Sequence, residues 1–351
     1  RGLRQTGQGS YRVVGILSET AGRVGREIRG VQVLGTTAEL KSVFQTLQSD
    51  GNAPQRVILT KDDIDGATIR SLLDQAEALG ISLARLPQIT DFRSGVADKL
   101  EIKPIAVEDL LGRPQVPLDR DSMQRLIEGR RVLITGAGGS IGSELVRQIC
   151  DLAPSEIAIA DHSEFALYNA DMEIAEIAPK LTRRSEIADV RDADRVDQII
   201  AAFRPDLVFH TAAMTHVPIV EQNVAEGIST NVLGTINVAD SCRRHGVGVM
   251  VLISTDKAVN PTSVMVASKR IAETYCQARD LEYDETAEGV GTRFVTVRFG
   301  NVLGSTGSVV PLFQRQLEQG GPLTVTDAEM TRYFMTIREA VELVLQASAL
   351  S

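Results

Sequence analysis

An apolar run at residues 249–253 leads straight into Ser254, Thr255, Asp256 and Lys257, so that a hydroxyl, a carboxylate and an ammonium group stand at three consecutive positions. Groups of these types can hydrogen-bond a substrate oxygen and give or take protons, the elements of general acid–base chemistry. Met265 and Lys269 follow, four residues apart and therefore on one face of a helix. A second chemical signal lies earlier, where Gly136-Ala137-Gly138-Gly139-Ser140-Ile141-Gly142 joins an apolar run at 132–135 to a helical pattern at 143–152. In that context a glycine cluster is the turn that lays a pyrophosphate against backbone N–H groups at a helix start, here those of Ser140 and Ile141. Gly136 permits the tight turn, Gly139 lets the backbone approach the phosphates, and Gly142 allows close packing of helix on strand.

The next strand pattern, 156–160, ends at Asp161, nineteen residues beyond Gly142. A carboxylate there hydrogen-bonds the adenosine ribose and repels a 2′-phosphate, which favours NAD over NADP. Asp189 and Val190, after a third strand, are placed to meet the adenine ring. The run 206–210 ends in small residues, and Ala212 and Ala213 leave room for a cofactor at the carboxyl end of the sheet.

Those positions need a scaffold. At 351 residues the chain is long enough for two domains, and 43% hydrophobic with 24% charged residues is a soluble, globular composition. The net charge of −9 argues against a nucleic-acid partner, although local basic residues can still hold one diphosphate. Cys150, Cys242 and Cys276 are far apart and form no CxxC, which fits a reducing compartment without a disulfide framework. His162, His210, His216 and His245 lack ligand spacing, so no metal is expected. No apolar run approaches the ~18 residues of a membrane span, and nothing reads as a signal peptide. The first residue is Arg1 rather than Met, which points to a cut or processed chain and leaves room for membrane segments upstream.

Short β-branched runs alternate with helical patterns, so the expected fold is α/β, with two Rossmann-like, doubly wound parallel-sheet domains in series. Residues 1–112 form the first, with strands at 12–17, 31–34, 56–60 and 81–84 and helices at 37–49 and 62–79. It has no glycine loop after its first strand and is expected to lack a catalytic cofactor. A connector over 91–130 carries Pro104, Pro114 and Pro117 and overlaps the end of this domain, its last part (113–130) being a linker ending in a short amphipathic helix. Residues 131–351 form the NAD-binding domain, with a small C-terminal substrate-binding portion.

Thr135 with the glycine turn, Asp189-Val190-Arg191-Asp192, His210-Thr211-Ala212-Ala213 and Ser254-Thr255-Asp256-Lys257 resemble the extended short-chain dehydrogenase/reductase superfamily. Within it, His216-Val217-Pro218 and the segments 254–261, 298–304, 307–311 and 330–335 resemble the nucleoside-diphosphate-sugar 4,6-dehydratases acting on UDP-N-acetylglucosamine. The resemblance covers nearly all of 130–347. The long, membrane-attached polysaccharide-biosynthesis branch fits best, because there transmembrane helices precede a cofactor-less Rossmann-like domain and methionine replaces the tyrosine of the Tyr-x-x-x-Lys pair. Residues 11–112, with the segments 30–35 and 108–112, look like the middle part of such a chain.

The resemblance implies a redox-neutral lyase reaction with NAD recycled in each turnover. Hydride leaves C4 of the sugar, water is lost across C5 and C6, and hydride returns at C6, giving a UDP-4-keto-6-deoxy-N-acetylhexosamine. Thr255 would hydrogen-bond the C4 oxygen. Asp256 would be the acid at the C6 hydroxyl, its proton held at neutral pH by burial. Lys257 would take the C5 proton, which requires a depressed pKa. Lys269 would reach the nicotinamide ribose. The Met265 thioether cannot accept a proton, so Asp256, directly or through a water, is expected to take the C4 proton and pass it to the C6 hydroxyl, with Met265 filling space against the nicotinamide. Asn301 and Arg332 are expected at the substrate diphosphate and uridine, with Ser308, Val309 and Pro311 lining the same wall and His216 touching the substrate; an arginine brackets phosphate oxygens with a fork of donors.

Two departures stand out. Val266 occupies a position where the family usually has glycine, which leaves the path of the helix start open. The chain stops at Ser351, where family members continue, so an incomplete sugar pocket is expected. The resemblance further implies homodimers or higher homo-oligomers through a helical face at 219–238 and 264–278. It also implies a full-length protein at the cytoplasmic face of the inner membrane, attached only through segments absent from this soluble chain. Two other readings stay open. A UDP-sugar 4-epimerase shares fold and cofactor but needs no base at C5, and Lys257 beside Asp256 argues for elimination. A non-catalytic NAD or sugar-nucleotide binding module of a membrane assembly is kept open by Met265 and the first domain. Retention or inversion at C5 is open as well, with retention associated with the long branch.

Overall fold

The computed structural model describes residues 12–61, 64–86, 103–104, 119–282, 291–305, 309–325, 327 and 329–350. The chain divides into two compact units, Arg1–Val116 and Pro117–Ser351. In the first, β1 (Ile16–Ser18), β2 (Glu27–Ile28) and β3 (Val31–Thr36) form a sheet in the order β1-β3-β2, followed by α1 (Leu40–Ser49). A second sheet, β4-β5-β6, joins β4 (Arg56–Leu59), β5 (Ser82–Arg85) and β6 (Lys103–Pro104), with α2 (Gly66–Ala78) crossing between β4 and β5.

The pairs β1/β3 and β4/β5 are parallel, as the alternating pattern predicts, while β2 and β6 are antiparallel additions. β2 was hidden because its turn is built on Arg29 (φ 52°) and Gly30 (φ 80°), both left-handed. That is the geometry of a two-residue hairpin, but arginine is not a residue that advertises it. The second helix opens later than the acidic run suggests, at Asp65, whose Oδ1 accepts the Thr68 N–H at 2.9 Å. Residues 62–63 and most of the connector, 87–102 and 105–118, lie outside the described residues. Leu40, Leu59, Ile69, Leu72, Ala76 and Leu83 form this unit's core.

The second unit holds, in chain order, α3 (Arg120–Ile127), β7 (Arg131–Thr135), α4 (Ser140–Cys150), β8 (Glu156–Asp161), α5 (Glu164–Ile177), β9 (Thr182–Ile187), α6 (Ala193–Phe203) and β10 (Leu207–His210). There follow α7 (Val217–Gln222), α8 (Val224–Ile228), α9 (Gly234–Arg244), β11 (Val249–Thr255), α10 (Val264–Asp280), β12 (Arg293–Phe299), β13 (Asn301–Val302), α11 (Val309–Glu318), β14 (Phe334–Met335) and α12 (Ile337–Ala349). Six strands make one fully parallel sheet in the order β12-β11-β10-β7-β8-β9. The order reverses between β7 and β10, and a crevice opens at the carboxyl ends there.

Both faces of the central strands are covered, which is why β7, β8, β10 and β11 read as nearly continuous apolar runs, while the edge strand β9 is polar and largely exposed. Val132 and Ile134 point toward α3, α4, α5 and α12, and Leu133 points toward α6, α9 and α10. Met123 and Ile127 of α3 belong to the first of these cores, so the helix expected at the end of a linker is an integral part of the dehydrogenase-like unit. Among the described residues, no helix is long and apolar enough to cross a membrane.

Candidate active site

The turn after β7 is shaped by contacts that only glycine tolerates. Gly136 has φ 71°, and a Cβ on it would lie 2.5 Å from the Ala212 nitrogen. A Cβ on Gly138 would meet the Ala166 Cβ at 2.4 Å, and one on Gly142 would meet the Gly136 carbonyl oxygen at 2.2 Å. Gly142 thus lets α4 close on the turn itself. A Cβ on Gly139 would meet only the Gly136 oxygen, at 3.3 Å, so this position stays open toward the crevice. Asp161 braces the turn from β8: its Oδ2 accepts the Gly138 N–H and its Oδ1 the Ser163 N–H, both at 3.0 Å.

A cleft of 310 Å³ follows this turn along the carboxyl edge of the sheet, within the range of small-molecule sites. Gly136, Gly139, Asp161, Asp189, Val190, Ala212 and Ala213 line it, as the sequence predicts. Ser140 and Ile141 instead start α4, Gly142 is buried beneath the turn, and Lys269 lies off the cleft wall. Gly138, His162, Ser163, Ala166, Ala188, Arg191, Thr211, Met214 and Thr230 complete the lining and were missed. A glycine cradle at a helix start, with an acid at the end of the next strand, fits a dinucleotide. Asp189 does not face the cleft freely: Arg191 Nε and Nη2 reach its Oδ2 at 2.8 and 2.5 Å, and Arg191 also pairs with Glu226 of α8. The hydrogen bonds from Arg191 hold the Asp189 carboxyl below its usual range.

Behind the cleft runs a buried polar chain that the sequence did not reveal. His210 Nδ1 lies 2.7 Å from Thr135 Oγ1, and Nε2 lies 3.1 Å from Thr235 Oγ1. Thr235 already donates its proton to the Asn231 carbonyl, so it accepts from Nε2–H, and Thr135 donates to Nδ1. His210 is therefore neutral, and burial, helped by the charge of Lys269, pushes it down to about 3. Asn231 sits in a π-helical turn, Ser229–Leu233, and its amide pairs with both backbone groups of Met214 and with Ser268 Oγ. Ser268 in turn donates to the Met265 carbonyl, which ties the cleft wall to α10.

A histidine forced to stay neutral makes stability depend on acid. The unfolded chain binds a proton at 6.5 that the folded chain binds only near 3, so this contribution is whole above pH 6.5 and is lost as pH falls toward 3. It amounts to at most about 5 kcal/mol. Denaturant melts at stepped pH should show a steeper acid loss for the wild type than for His210→Gln; equal slopes would contradict the assignment.

At the end of β11 the chemical group forms. Thr255 Oγ1 donates to Asp256 Oδ1 at 3.1 Å, and Lys257 Nζ donates to Asp256 Oδ1 and to Asn301 Oδ1, both at 2.9 Å. The structure brings Asn301, the first residue of β13, which pairs with β14, to Lys257. One expectation is overturned. The Asp256 side chain is 49% exposed, so burial does not keep it protonated. Desolvation raises its pKa, but hydrogen bonding and charge from Lys257, with help from Thr255, outweigh it and hold the carboxyl below its usual range.

The helix start at Val266 is regular: Ser263 Oγ accepts the Val266 N–H, Glu221 Oε1 accepts the Val264 N–H, and Val266 is buried. Met265 packs with Val220, Ala258 and Val266 against Met214, a residue of the cleft wall. Lys269 is buried, donates to the Ile253 carbonyl at 3.0 Å, and is pushed down by burial to about 8. The remaining expected substrate residues are not gathered here. His216 is exposed at the start of α7, Arg332 is exposed with its guanidinium on the Thr331 carbonyl, and Val309 and Pro311 sit in the first turn of α11. Ser308 lies outside the described residues.

Residues 132–351 match the family described as "Polysaccharide biosynthesis protein". The capsular polysaccharide biosynthesis protein CapD of Staphylococcus aureus is 47% identical over 273 residues, 78% of this chain and 45% of CapD. An inverting UDP-N-acetylglucosamine 4,6-dehydratase of Campylobacter jejuni subsp. jejuni serotype O:23/36 is 36% identical over 222 residues, 63% of this chain and 64% of that protein. The solved UDP-glucose 4-epimerase of Thermus thermophilus, in complex with NAD, matches with a TM-score of 0.53 at 25% identity, over 62% of this chain and 74% of that one. The chain spans about half the length of the first curated relatives it matches. Because the family match runs through the whole parallel sheet, from β7 past β12 to the chain's end, the chain belongs to the polysaccharide biosynthesis protein family, a group of extended short-chain dehydrogenases/reductases of nucleotide-sugar metabolism.

Proposed function

We propose that this chain is an NAD-dependent sugar-nucleotide enzyme that dehydrates UDP-N-acetylglucosamine to a UDP-4-keto-6-deoxy-N-acetylhexosamine. The observation that carries this reading is the hydrogen-bonded group of Thr255, Asp256, Lys257 and Asn301 at the carboxyl edge of the sheet that also bears the dinucleotide cleft. A 4-epimerase has no use for a second base beside Asp256, whereas elimination across C5 and C6 does. Bound in the cleft, NAD supplies the transient oxidation at C4 and its reversal at C6.

The chain's own residues handle the protons. Asp256, ionised at rest, takes the C4 hydroxyl proton while Thr255 orients that oxygen. The carboxyl then holds the proton that the departing C6 hydroxyl needs, so it leaves as water. The Lys257 amine, hydrogen-bonded to Asp256 and Asn301, takes the C5 proton. Asn301 holds that amine in place throughout. Met265 fills space and moves no proton. We further propose a second copy of the chain against the exposed Ile219, Leu233 and Ile271 of the α7–α10 face, and attachment to a membrane through the whole protein.

Proton NMR of UDP-N-acetylglucosamine incubated with the protein and NAD in D2O tests the reading. A 4-keto-6-deoxy product with deuterium at C5 is expected. An epimerised sugar that keeps its C5 proton would replace it with the epimerase, and NAD binding without any product would replace it with the binding module.

A further inference from the structure

Glu273 is fully buried, and none of the proton transfers above uses it. It lies one helical turn beyond Lys269 on α10, on the same face. Arg298 of β12 holds it in a fork, Nε to Oε1 at 2.8 Å and Nη2 to Oε2 at 2.5 Å, and Arg270 Nη1 reaches Oε2 at 3.3 Å. Burial opposes charge on Glu273, but Arg298, the Ser254 hydroxyl and Arg270 together outweigh it and hold the carboxyl below its usual range. Lys269 is in the opposite position. Among the described residues, the Ile253 carbonyl is its one hydrogen-bond acceptor, although an ammonium carries three donors.

The titratable groups acting on Lys269 are Glu273 and Cys276 on its own helix and His210 on β10, with Arg298 acting through Glu273. His210 is neutral, as its hydrogen bonds require, and burial pushes the Cys276 thiol up to about 12. Glu273 is therefore the negative charge in this set.

We propose that Glu273 is the counter-charge that keeps Lys269 cationic, with Arg298 and Arg270 setting how much of that charge Lys269 feels. Glu273 is then a positioning residue, and its consequence for cofactor affinity rests on the reading of Lys269 as the group that meets the nicotinamide ribose. The charge relation is independent of that reading. It gives Lys269 a fixed positive potential in a site where residue 265 has no proton to be drawn off.

The sequence holds seven lysines, few enough to follow by NMR of the protein labelled with [6-¹³C]lysine, with Lys269→Arg identifying the resonance. The wild-type Lys269 signal should titrate near pH 8. Glu273→Gln should move that midpoint down by about one unit or more, because it removes the anion and leaves Arg298 as a nearby like charge. Arg270→Gln and Arg298→Gln should move it up. Opposed shifts of this kind do not arise from a purely structural role. Arg270 is 43% exposed, so its variant carries the test alone if the others do not fold. A midpoint that stays fixed in every folded variant overturns the proposal. NAD affinity, measured by calorimetry at pH 7.5, should fall about threefold in Glu273→Gln, because a midpoint lowered by one unit from about 8 leaves roughly a quarter rather than three quarters of Lys269 charged. Opposed NMR shifts with unchanged NAD affinity would uphold the counter-charge and defeat only the role of Lys269 at the ribose.

Discussion

Asp256→Asn is expected to lower kcat for the 4-keto product by about 10³-fold, within the range that positioned proton transfer contributes, with KM for UDP-N-acetylglucosamine little changed. The amide keeps the shape and can still accept from Lys257 Nζ, but it cannot take the C4 hydroxyl proton or return one to the C6 hydroxyl. In the proposed mechanism both duties fall on this carboxyl, because the residue four before Lys269 is a thioether packed among Val220, Ala258 and Val266. Met265→Leu is a fair control: a volume-conserving swap costs under about 1.5 kcal/mol and should leave kcat within a few-fold. Steady-state assays of the two variants side by side measure the contrast. If Met265→Leu lost as much activity as Asp256→Asn, the thioether would have a chemical role that the packing does not support.

Lys257→Met should be as severe, about 10³-fold in product formation, and different in kind. Oxidation at C4 needs only Asp256, so the variant should still reduce bound NAD on mixing with substrate. It should then stall, with no deuterium entering C5 from D2O. The 4-keto sugar nucleotide with its C6 hydroxyl intact should accumulate on the enzyme, visible by mass spectrometry after quenching. The side chain loses its hydrogen bonds to Asp256 and Asn301 in this variant. The Asp256 carboxyl then rises toward its ordinary range, and the acid limb of the oxidation step should move up in pH accordingly. Normal C5 exchange in Lys257→Met would assign that proton to another group.

What was legible in the sequence is what local constraints dictate. The glycine turn could be read because Gly142 answers a steric demand within a few residues, against the Gly136 oxygen, and Gly136 one from beyond an adjacent strand end, against Ala212. The centre of the parallel sheet could be read because both its faces are buried and β7, β8, β10 and β11 are nearly continuous apolar runs, whereas the edge strand β9 is polar and largely exposed. Asp161 was legible as an acid at a strand end, but not as the brace that accepts the Gly138 and Ser163 N–H groups.

The rest depended on distance in the chain or on exposure, and neither shows in a motif. Asn301 meets Lys257 across 44 positions through a two-residue parallel pair, too short to leave a periodic pattern. The exposure of Asp256 reversed the expected protonation without changing the identity of the residue. Asn231 belongs to no sequence motif, although its amide joins Met214 to Ser268. Glu273 did leave a trace, four residues after Lys269, but nothing in one dimension brought Arg298 to it.

The proton reassignment from residue 265 to Asp256 is the claim on which the mechanism turns, and stopped-flow absorbance of reduced nicotinamide tests it most directly. Wild-type protein loaded with NAD and mixed with UDP-N-acetylglucosamine should show a transient that rises and decays within a turnover. Lys257→Met should show the rise without the decay, and Asp256→Asn should show no rise above the mixing control. A full-amplitude rise in Asp256→Asn would mean that another group takes the C4 proton, and the proposed mechanism would be wrong at its centre.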